Sequence, residues 1–199
     1  EISECLVGSE MCIRDSGVNV RKRKLSQLRS QIGMATQDVL LFSDTIDGNI
    51  AYGDSDMSEE DVKHYAKLAA ANEFVEKMPD GYETIVGERG VGLSGGQKQR
   101  LLITRALAKH PQILVLDDSS SALDYATDAR LRRAIQENYG DLTSIIVAQR
   151  ISSIYRADKI IVLEDGEMIG YGTHKELMES CEVYREISQS QMGGGIDEA

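Results

Sequence analysis

The sequence has only three cysteines, Cys5, Cys12 and Cys181, and none of them forms a C-x-x-C pair. Neither a disulfide framework nor a cysteine-based zinc site is therefore expected, and a reducing cytosol fits this usage. Only 2 of the 199 residues are proline, whereas 41% are apolar. We therefore expect a folded domain, with at most one subdomain, rather than a disordered chain. No apolar run approaches the ~20 residues that a membrane-spanning helix needs.

An excess of positive charge is also lacking. The chain has 22 Lys and Arg against 33 Asp and Glu, which gives a net charge of −11. Because nucleic-acid-binding surfaces neutralise phosphates with cations, we expect no nucleic-acid partner. The negative charge is typical of a solvated protein surface.

A phosphate-binding loop of the form G-x-x-x-x-G-K-[ST] is missing as well. Leu6-Val7-Gly8-Ser9 resembles the start of one, but no Gly-Lys-Ser/Thr follows. Residues 1–16 lack the basic start and long apolar core of a signal peptide. They resemble translated adapter sequence, and we interpret them as foreign to the native protein.

The stretch LSGGQKQR, Leu93 to Arg100, is the first motif that indicates chemistry. Ser94 occupies a helix N-cap position. Gly95 and Gly96 have no side chains, so their backbone N–H groups can approach an anion closely, and the helix dipole also favours phosphate. The motif therefore predicts a phosphate contact at the start of a helix.

The stretch ILVLDD, Ile113 to Asp118, is the second such motif. Its continuous apolar run is typical of a central parallel strand that is covered on both faces. The run ends in Asp117 and Asp118, and carboxylates at the carboxyl end of such a strand face the ligand crevice.

These motifs resemble those of the ATP-binding cassette (ABC) family, exporter type, and the resemblance covers residues 17–191. It implies an α/β fold: a P-loop NTPase-like parallel sheet flanked by helices, with the phosphate-loop strand missing. An inserted helical subdomain at about residues 50–105 would carry the signature motif, and residues 192–199 would form a flexible tail. The missing strand would normally lie beside the strand Ile113–Leu116.

The resemblance also implies ATP and Mg²⁺ as ligands. Gln37, which follows a predicted strand over residues 32–36, would contact the magnesium and the attacking water, and Asp117 would help to hold the magnesium. Asp118 stands where the family has a catalytic glutamate. Its side chain is one methylene shorter, and a misplacement of about 1 Å can lower a rate on the order of 100-fold. Gln149 stands where the family has a switch histidine; an amide donates a hydrogen bond but cannot relay a proton.

In this family two cassettes stack head to tail. Ser94, Gly95, Gly96 and Gln97 would then bind the γ-phosphate of ATP held by a partner cassette, and Asp124 would lie in a loop that crosses the interface. Both replaced residues belong to this chain's own site, whereas its signature motif is intact. This asymmetry resembles the degenerate-site half of heterodimeric bacterial exporters.

The resemblance implies a transmembrane domain as a second partner. The pattern LFS-x-TI within residues 37–53 and the loop containing Glu88 and Arg89 would contact it, at the cytoplasmic face of the cell membrane. We therefore expect a subunit that couples ATP binding and hydrolysis to export. By itself, the 199-residue chain is expected to fold poorly, to bind ATP weakly and to be inactive.

Two other functions stay open at this point. One is a regulatory module that binds ATP without turnover. The other is an ABC ATPase of DNA repair or chromosome maintenance. Such proteins should lack the LFS-x-TI stretch and the Gly87-Glu88-Arg89-Gly90 loop, both of which are present here.

Overall fold

The computed structural model describes residues 14–15, 18–19, 22–54, 56–119 and 121–192. The predictions for residues 1–16 and for the C-terminal tail fall almost entirely outside this part of the chain, although Met192 belongs to the last helix. Within the described part, no helix is both long and apolar enough to cross a membrane. The chain has an α/β fold with a parallel sheet and flanking helices, as expected of a P-loop NTPase-like domain.

The described helices are α1 (Leu25–Ser30), α2 (Ile46–Ile50), α3 (Glu59–Leu68), α4 (Asn72–Val75), α5 (Gly95–Ala108), α6 (Tyr125–Asn138), α7 (His174–Ser180) and α8 (Glu182–Met192). The strands are β1 (Arg14–Asp15), β2 (Val18–Asn19), β3 (Ile32–Ala35), β4 (Asp44–Thr45), β5 (Ile85–Val86), β6 (Ile113–Asp117), β7 (Thr143–Val147), β8 (Ile160–Glu164) and β9 (Glu167–Gly172). Three two-stranded pairings, β1–β2, β4–β5 and β8–β9, are antiparallel.

A three-stranded parallel sheet in the order β3-β6-β7 forms the centre of the fold. β6 lies in the middle and is paired along both edges. The expectation that a missing strand lies beside this strand is therefore wrong, because β3 and β7 already occupy both positions. Any further strand of this sheet has to pair with an outer edge of β3 or β7.

One face of the sheet packs against α5. Gly33 in β3 makes this approach close, because a Cβ atom there would lie 2.5 Å from the carbonyl oxygen of Ala106. Leu114 and Leu116 are buried on the same side. The opposite face carries Met34 and Ile145, which lie in register with Val115 between them and are about half exposed.

The helices α2 and α3 pack against α5. Ser58 caps α3 by accepting a hydrogen bond from the backbone N–H of Asp61, a role that serine before an acidic first turn favours. The apolar positions at helical spacing in α3, namely Val62, Tyr65 and Ala66, are buried. α5 continues to Ala108, so the expected subdomain boundary near residue 105 falls inside a continuous helix.

The helical spacing after Leu93 predicts that Lys98, Arg100 and Lys109 can face solvent, but Arg100 instead reaches inward. Its guanidinium group donates to the carbonyl oxygen of Ala70 at 2.8 Å and lies over the ring of Phe74, 4.8 Å from the centroid. Sequence periodicity placed the long side chain on the outer face, but its stem reaches back to the end of α3.

The hairpin β8–β9 and the helices α7 and α8 form a second, smaller core around Ile160, Leu177 and Tyr184. The turn uses Asp165 and Gly166, both with positive φ, as tight hairpin turns require. His174 begins α7, and its Nδ1 atom lies 2.8 Å from the Tyr184 hydroxyl, which ties the start of α7 to α8.

Candidate functional site

Four of the predicted site residues follow the central strands at one edge of the sheet. Gln37 comes shortly after β3, Asp117 ends β6, Asp118 follows it, and Gln149 comes shortly after β7. The register aligns Ala35 with Leu116 and Leu116 with Ile146. Because the carboxyl ends of parallel strands meet at one edge, the fold brings these residues to the same edge, as predicted.

Asp118 and Gln149, two of the predicted site residues, are hydrogen-bonded to each other. The Nε2 atom of Gln149 donates to Oδ2 of Asp118 at 3.2 Å. The backbone of Asp118 has a φ of +46°, a left-handed conformation that aspartate tolerates better than most residues. Its N–H group donates to the carbonyl oxygen of Val147 at 2.9 Å, which fixes it to the end of β7.

Asp124 caps helix α6. Its carboxylate accepts hydrogen bonds from the backbone N–H of Thr127 at 2.9 Å and from the Thr127 hydroxyl at 2.8 Å. These two hydrogen bonds, in that order, hold the pKa of the Asp124 carboxyl below its usual range. Asp124 therefore has a local structural role as the N-cap of α6, which was not predicted from the sequence.

The signature motif begins α5 with a capping box. The Ser94 hydroxyl accepts from the N–H of Gln97 at 3.3 Å, and Oε1 of Gln97 accepts from the N–H of Ser94 at 2.8 Å. The predicted N-cap is thus confirmed, and both side chains are engaged by the helix itself. Because Gly95 and Gly96 have no side chains, their backbone N–H groups are the part of this helix start that could contact a ligand.

The signature also packs against the loop 121–124 of its own chain. A Cβ atom at Gly96 would lie 2.9 Å from the carbonyl oxygen of Ala122, whereas one at Gly95 would lie 3.8 Å from the Ala122 side chain. Glycine at position 96 is therefore required by a contact within this chain. Among the described residues, no side-chain hydrogen bond joins Ser94 or Gln97 to the carboxylates at the sheet edge.

Glu88 and Arg89 lie in a short helical turn and are exposed. Arg89 has a φ of +56° and Gly90 a φ of +77°, so the loop reverses direction here. The turn follows β5 in sequence and precedes α5, so it is not part of the carboxylate edge of the sheet.

Arg105 was not among the residues predicted from the sequence, but its side chain holds the segment that follows Gln37 in place. Its guanidinium donates to the carbonyl oxygens of Leu40 and Asn49, at 2.8 and 2.7 Å, and to Oδ1 of Asn49 at 2.6 Å. It also lies against the stacked rings of Phe42 and Tyr52. Asn49 is almost fully buried, and its polar side chain therefore needs such partners. Nothing in the sequence around Arg105 indicated that it would supply them.

Arg150 was also not singled out. It follows Gln149 directly, and its guanidinium donates to the carbonyl oxygens of Leu123 and Ser121. It thus connects the end of β7 to the loop before α6. Nothing in its local sequence distinguishes it from an exposed arginine.

The oxygen donors at the sheet edge fit a magnesium ion. Mg²⁺ is typically bound through one or two protein carboxylates together with substrate phosphates and water. Asp117 supplies a half-buried carboxylate and Gln37 an exposed amide oxygen at the same edge. Within the described ranges, no group of three or more His, Cys, Asp or Glu side chains is arranged to hold a metal.

A parallel sheet with carboxylates at its carboxyl edge and a glycine-containing helix start defines a nucleotide-binding class of α/β domain. A profile described as "ABC transporter" matches residues 5–121. The chain belongs to the ABC transporter family.

The relatives agree. The chain is 50% identical over 166 residues to the uncharacterized ABC transporter ATP-binding protein YfiB of Bacillus subtilis, covering 83% of this chain and 29% of the relative. It is 46% identical to the putative multidrug export ATP-binding/permease protein YgaD of the same organism, covering 86% and 30%. It is 43% identical to an ATP-dependent lipid A-core flippase of Legionella pneumophila, covering 96% and 32%.

Among solved structures, a bacterial Atm1-family ABC exporter with ATP bound has the same fold. It is 39% identical, with a TM-score of 0.84, and the match covers 88% of this chain and 31% of that chain. The chain thus spans about a third of the length of the relatives and the structure that it matches.

Proposed function

We propose that the chain is the ATP-binding part of an ABC exporter and couples ATP binding and hydrolysis to the export of a substrate across a membrane. The observation that carries this proposal is the combination of a helix start at Gly95 and Gly96, which lack side chains, with carboxylates at the carboxyl edge of the sheet. The names of the relatives, which include multidrug export and lipid A-core flippase, support it.

ATP and Mg²⁺ are the ligands in this proposal. Asp117 and Gln37 would hold the magnesium, which neutralises phosphate charge during phosphoryl transfer. Asp118 acts as a weakened base towards the attacking water. Gln149 acts as a weakened switch residue, since its amide can orient a partner but cannot change its protonation state.

The second cassette is the partner that completes the arrangement. Ser94 to Gln97 would contact the γ-phosphate of ATP bound by that cassette, and Asp124 would lie at the interface between the two. An unequal pair of cassettes, in which this chain holds the degenerate site, is supported by the contrast between the intact signature and the altered Asp118 and Gln149.

A transmembrane domain is the other partner, and it places the chain at the cytoplasmic face of the cell membrane. Its contact surface would include the segment after Gln37 and the turn with Glu88 and Arg89. Apolar side chains near these elements are exposed, among them Leu40 and Ile85. Such exposed apolar residues near polar turns are typical of interaction surfaces.

The test of the signature assignment is Gly95→Glu in the full-length protein assembled with its partner. The new side chain fits sterically, because the nearest atom to a Cβ at Gly95 is 3.8 Å away, but its carboxylate repels a phosphate. We expect ATP hydrolysis to fall at least about tenfold, the scale of a lost contact of about 1.4 kcal/mol. Gly140→Glu, which introduces the same charge where nothing lies within 4 Å, is the control. ATPase activity near the wild-type level in Gly95→Glu would reject the assignment.

A regulatory module that binds ATP without turnover is the second candidate. The hydrogen bond from Gln149 to Asp118 favours it, because a carboxylate that is engaged by an amide is less available to activate water. Replacing Asp118 by glutamate and Gln149 by histidine separates the two candidates, because higher ATP turnover would support hydrolysis and unchanged turnover would support the regulatory module.

A further inference from the structure

Hydrogen bonds attach the segment that follows β7 to two other parts of the chain, the connection between β6 and α6 and the helix α8. The Gln149 side chain bonds to Asp118. The side chain of Gln191 in α8 donates to the carbonyl oxygen of Gln149 at 2.8 Å and accepts from the N–H of Ile151 at 2.9 Å. Arg150 lies between Gln149 and Ile151 in sequence, and its side chain extends to the loop 121–124. Gln191 therefore holds the backbone of residues 149–151 at both ends, while the side chains of Gln149 and Arg150 both contact the connection between β6 and α6.

The Arg150 guanidinium binds two backbone carbonyl oxygens of the loop 121–124. Nη1 donates to the carbonyl oxygen of Leu123 at 3.1 Å, and Nη2 donates to that of Ser121 at 2.9 Å. The guanidinium also lies over the ring of Tyr125, 5.3 Å from its centroid. A planar fork can satisfy two carbonyls at fixed spacing, which a lysine ammonium cannot do with the same geometry.

The same loop contacts the two elements that matter for phosphate chemistry. At its start, the Ser121 hydroxyl donates to the carbonyl oxygen of Asp118 at 2.9 Å. In its middle, the carbonyl of Ala122 lies against Gly96 of the signature. At its end, Asp124 caps α6. A shift of this loop therefore changes the surroundings of the carboxylate edge and of the signature together.

We propose that Arg150 is a positioning residue, which fixes the loop 121–124 relative to the segment 149–151 and thereby sets the place of the loop in the assembled hydrolytic site. The functional half of this inference rests on the proposed function, in which the loop lies at the interface between two cassettes. Arg150 acts through the loop and does not contact nucleotide. Gln149 is bonded to Asp118, Arg150 is bonded to the loop 121–124, and Gln191 of α8 holds the backbone between them. We therefore expect these three contacts to move together.

The experiment compares Arg150→Met and Arg150→Lys with wild type in the full-length protein assembled with its partner. Methionine keeps an unbranched apolar stem but removes both donors, and lysine keeps the charge but not the fork. Arg133→Met is the matched control, because Arg133 is an exposed arginine on α6. Two quantities are measured: amide hydrogen exchange of residues 121–124 without nucleotide, and kcat and KM for ATP.

In Arg150→Met we expect faster exchange in the loop and a kcat at least about tenfold lower, since misplacement by about 1 Å costs on the order of 100-fold. KM for ATP should change less than about twofold, because binding residues are untouched. Arg150→Lys should lie between methionine and wild type, and Arg133→Met should match wild type. A general folding defect would instead lower the yield and raise exchange throughout the chain.

Wild-type exchange in the loop of Arg150→Met overturns the positioning role. Faster exchange with an unchanged kcat overturns its part in hydrolysis. If the wild-type assembly hydrolyses no ATP, the proposed function fails, and the exchange rates alone still decide whether Arg150 positions the loop.

Discussion

Gln149 donates a hydrogen bond from Nε2 to Oδ2 of Asp118, over a distance of 3.2 Å. The two residues are 31 positions apart in sequence and meet because β6 and β7 are neighbouring parallel strands. The sequence led us to expect that both residues depart from the pattern of the family, and their contact places them in one local structure. The pair is therefore best changed together.

The double substitution Asp118→Glu with Gln149→His should raise ATP turnover in the assembled full-length protein by about tenfold or more. Glutamate extends the carboxylate by about 1 Å, a distance that can change a rate on the order of 100-fold, and histidine restores a group that can relay a proton. Each single change should give less. Turnover equal to wild type would support the regulatory module, and Gln136→His, at an exposed position on α6, controls for an added histidine.

Gly96→Ala should destabilise the protein more than Gly95→Ala. The new Cβ atom would lie 2.9 Å from the Ala122 carbonyl oxygen, a backbone atom that cannot rotate away. Overpacking of this kind costs about 1–3 kcal/mol. Thermal unfolding of the purified full-length protein measures the difference. Equal Tm values for the two variants would show that the loop 121–124 yields without penalty.

Asp124 should make stability depend on pH. Hydrogen bonds from Thr127 lower the pKa of its carboxyl in the folded state. Its stabilising contribution is therefore complete above the unfolded pKa of about 3.9 and is lost as the pH falls through the lower folded pKa.

The comparison that isolates this contribution is Asp124→Asn, which keeps a capping oxygen but does not titrate. The difference in unfolding free energy between wild type and Asp124→Asn should shrink as the pH is lowered from 6 to about 3, near the range where the carboxyl protonates. Asp124→Ala should be less stable than Asp124→Asn at neutral pH. Parallel curves for wild type and the asparagine variant would exclude the charge as the cause.

Arg105→Lys should loosen the segment that follows Gln37. Lysine cannot reproduce the fork that donates to Leu40 and to both oxygens of Asn49, and a lost hydrogen bond from a charged group costs about 1.5–3 kcal/mol. Amide exchange of residues 42–51 should rise in this variant and not in Arg133→Lys. Unchanged exchange would mean that the aromatic rings of Phe42 and Tyr52 hold the segment by themselves.

The isolated 199-residue chain should aggregate and bind ATP weakly. Met34, Ile145 and Val147 are 55%, 51% and 53% exposed on the central sheet, and uncovered apolar strands associate with one another. Light scattering and nucleotide titration with Mg²⁺ measure both effects. Replacing Ile145 and Val147 by threonine should reduce scattering more than Ile85→Thr does, where the residue is 75% exposed on a different element. A monomeric chain that binds ATP tightly would refute this prediction.

Sequence by itself determined the local features of the chain. The cap at Ser94 and the apolar strand that ends at Asp117 depend on neighbouring residues, whose hydrogen bonds and backbone preferences act over a few positions. The motif spacing also indicated the family correctly.

Tertiary structure alone decided which distant residues meet. Strand order placed β7 rather than a missing strand beside β6, and so brought Gln149 to Asp118. The same packing turned Arg100 inward and directed Arg150 to the loop 121–124. A long arginine side chain can reach many partners from one backbone position, and only the assembled fold selects among them.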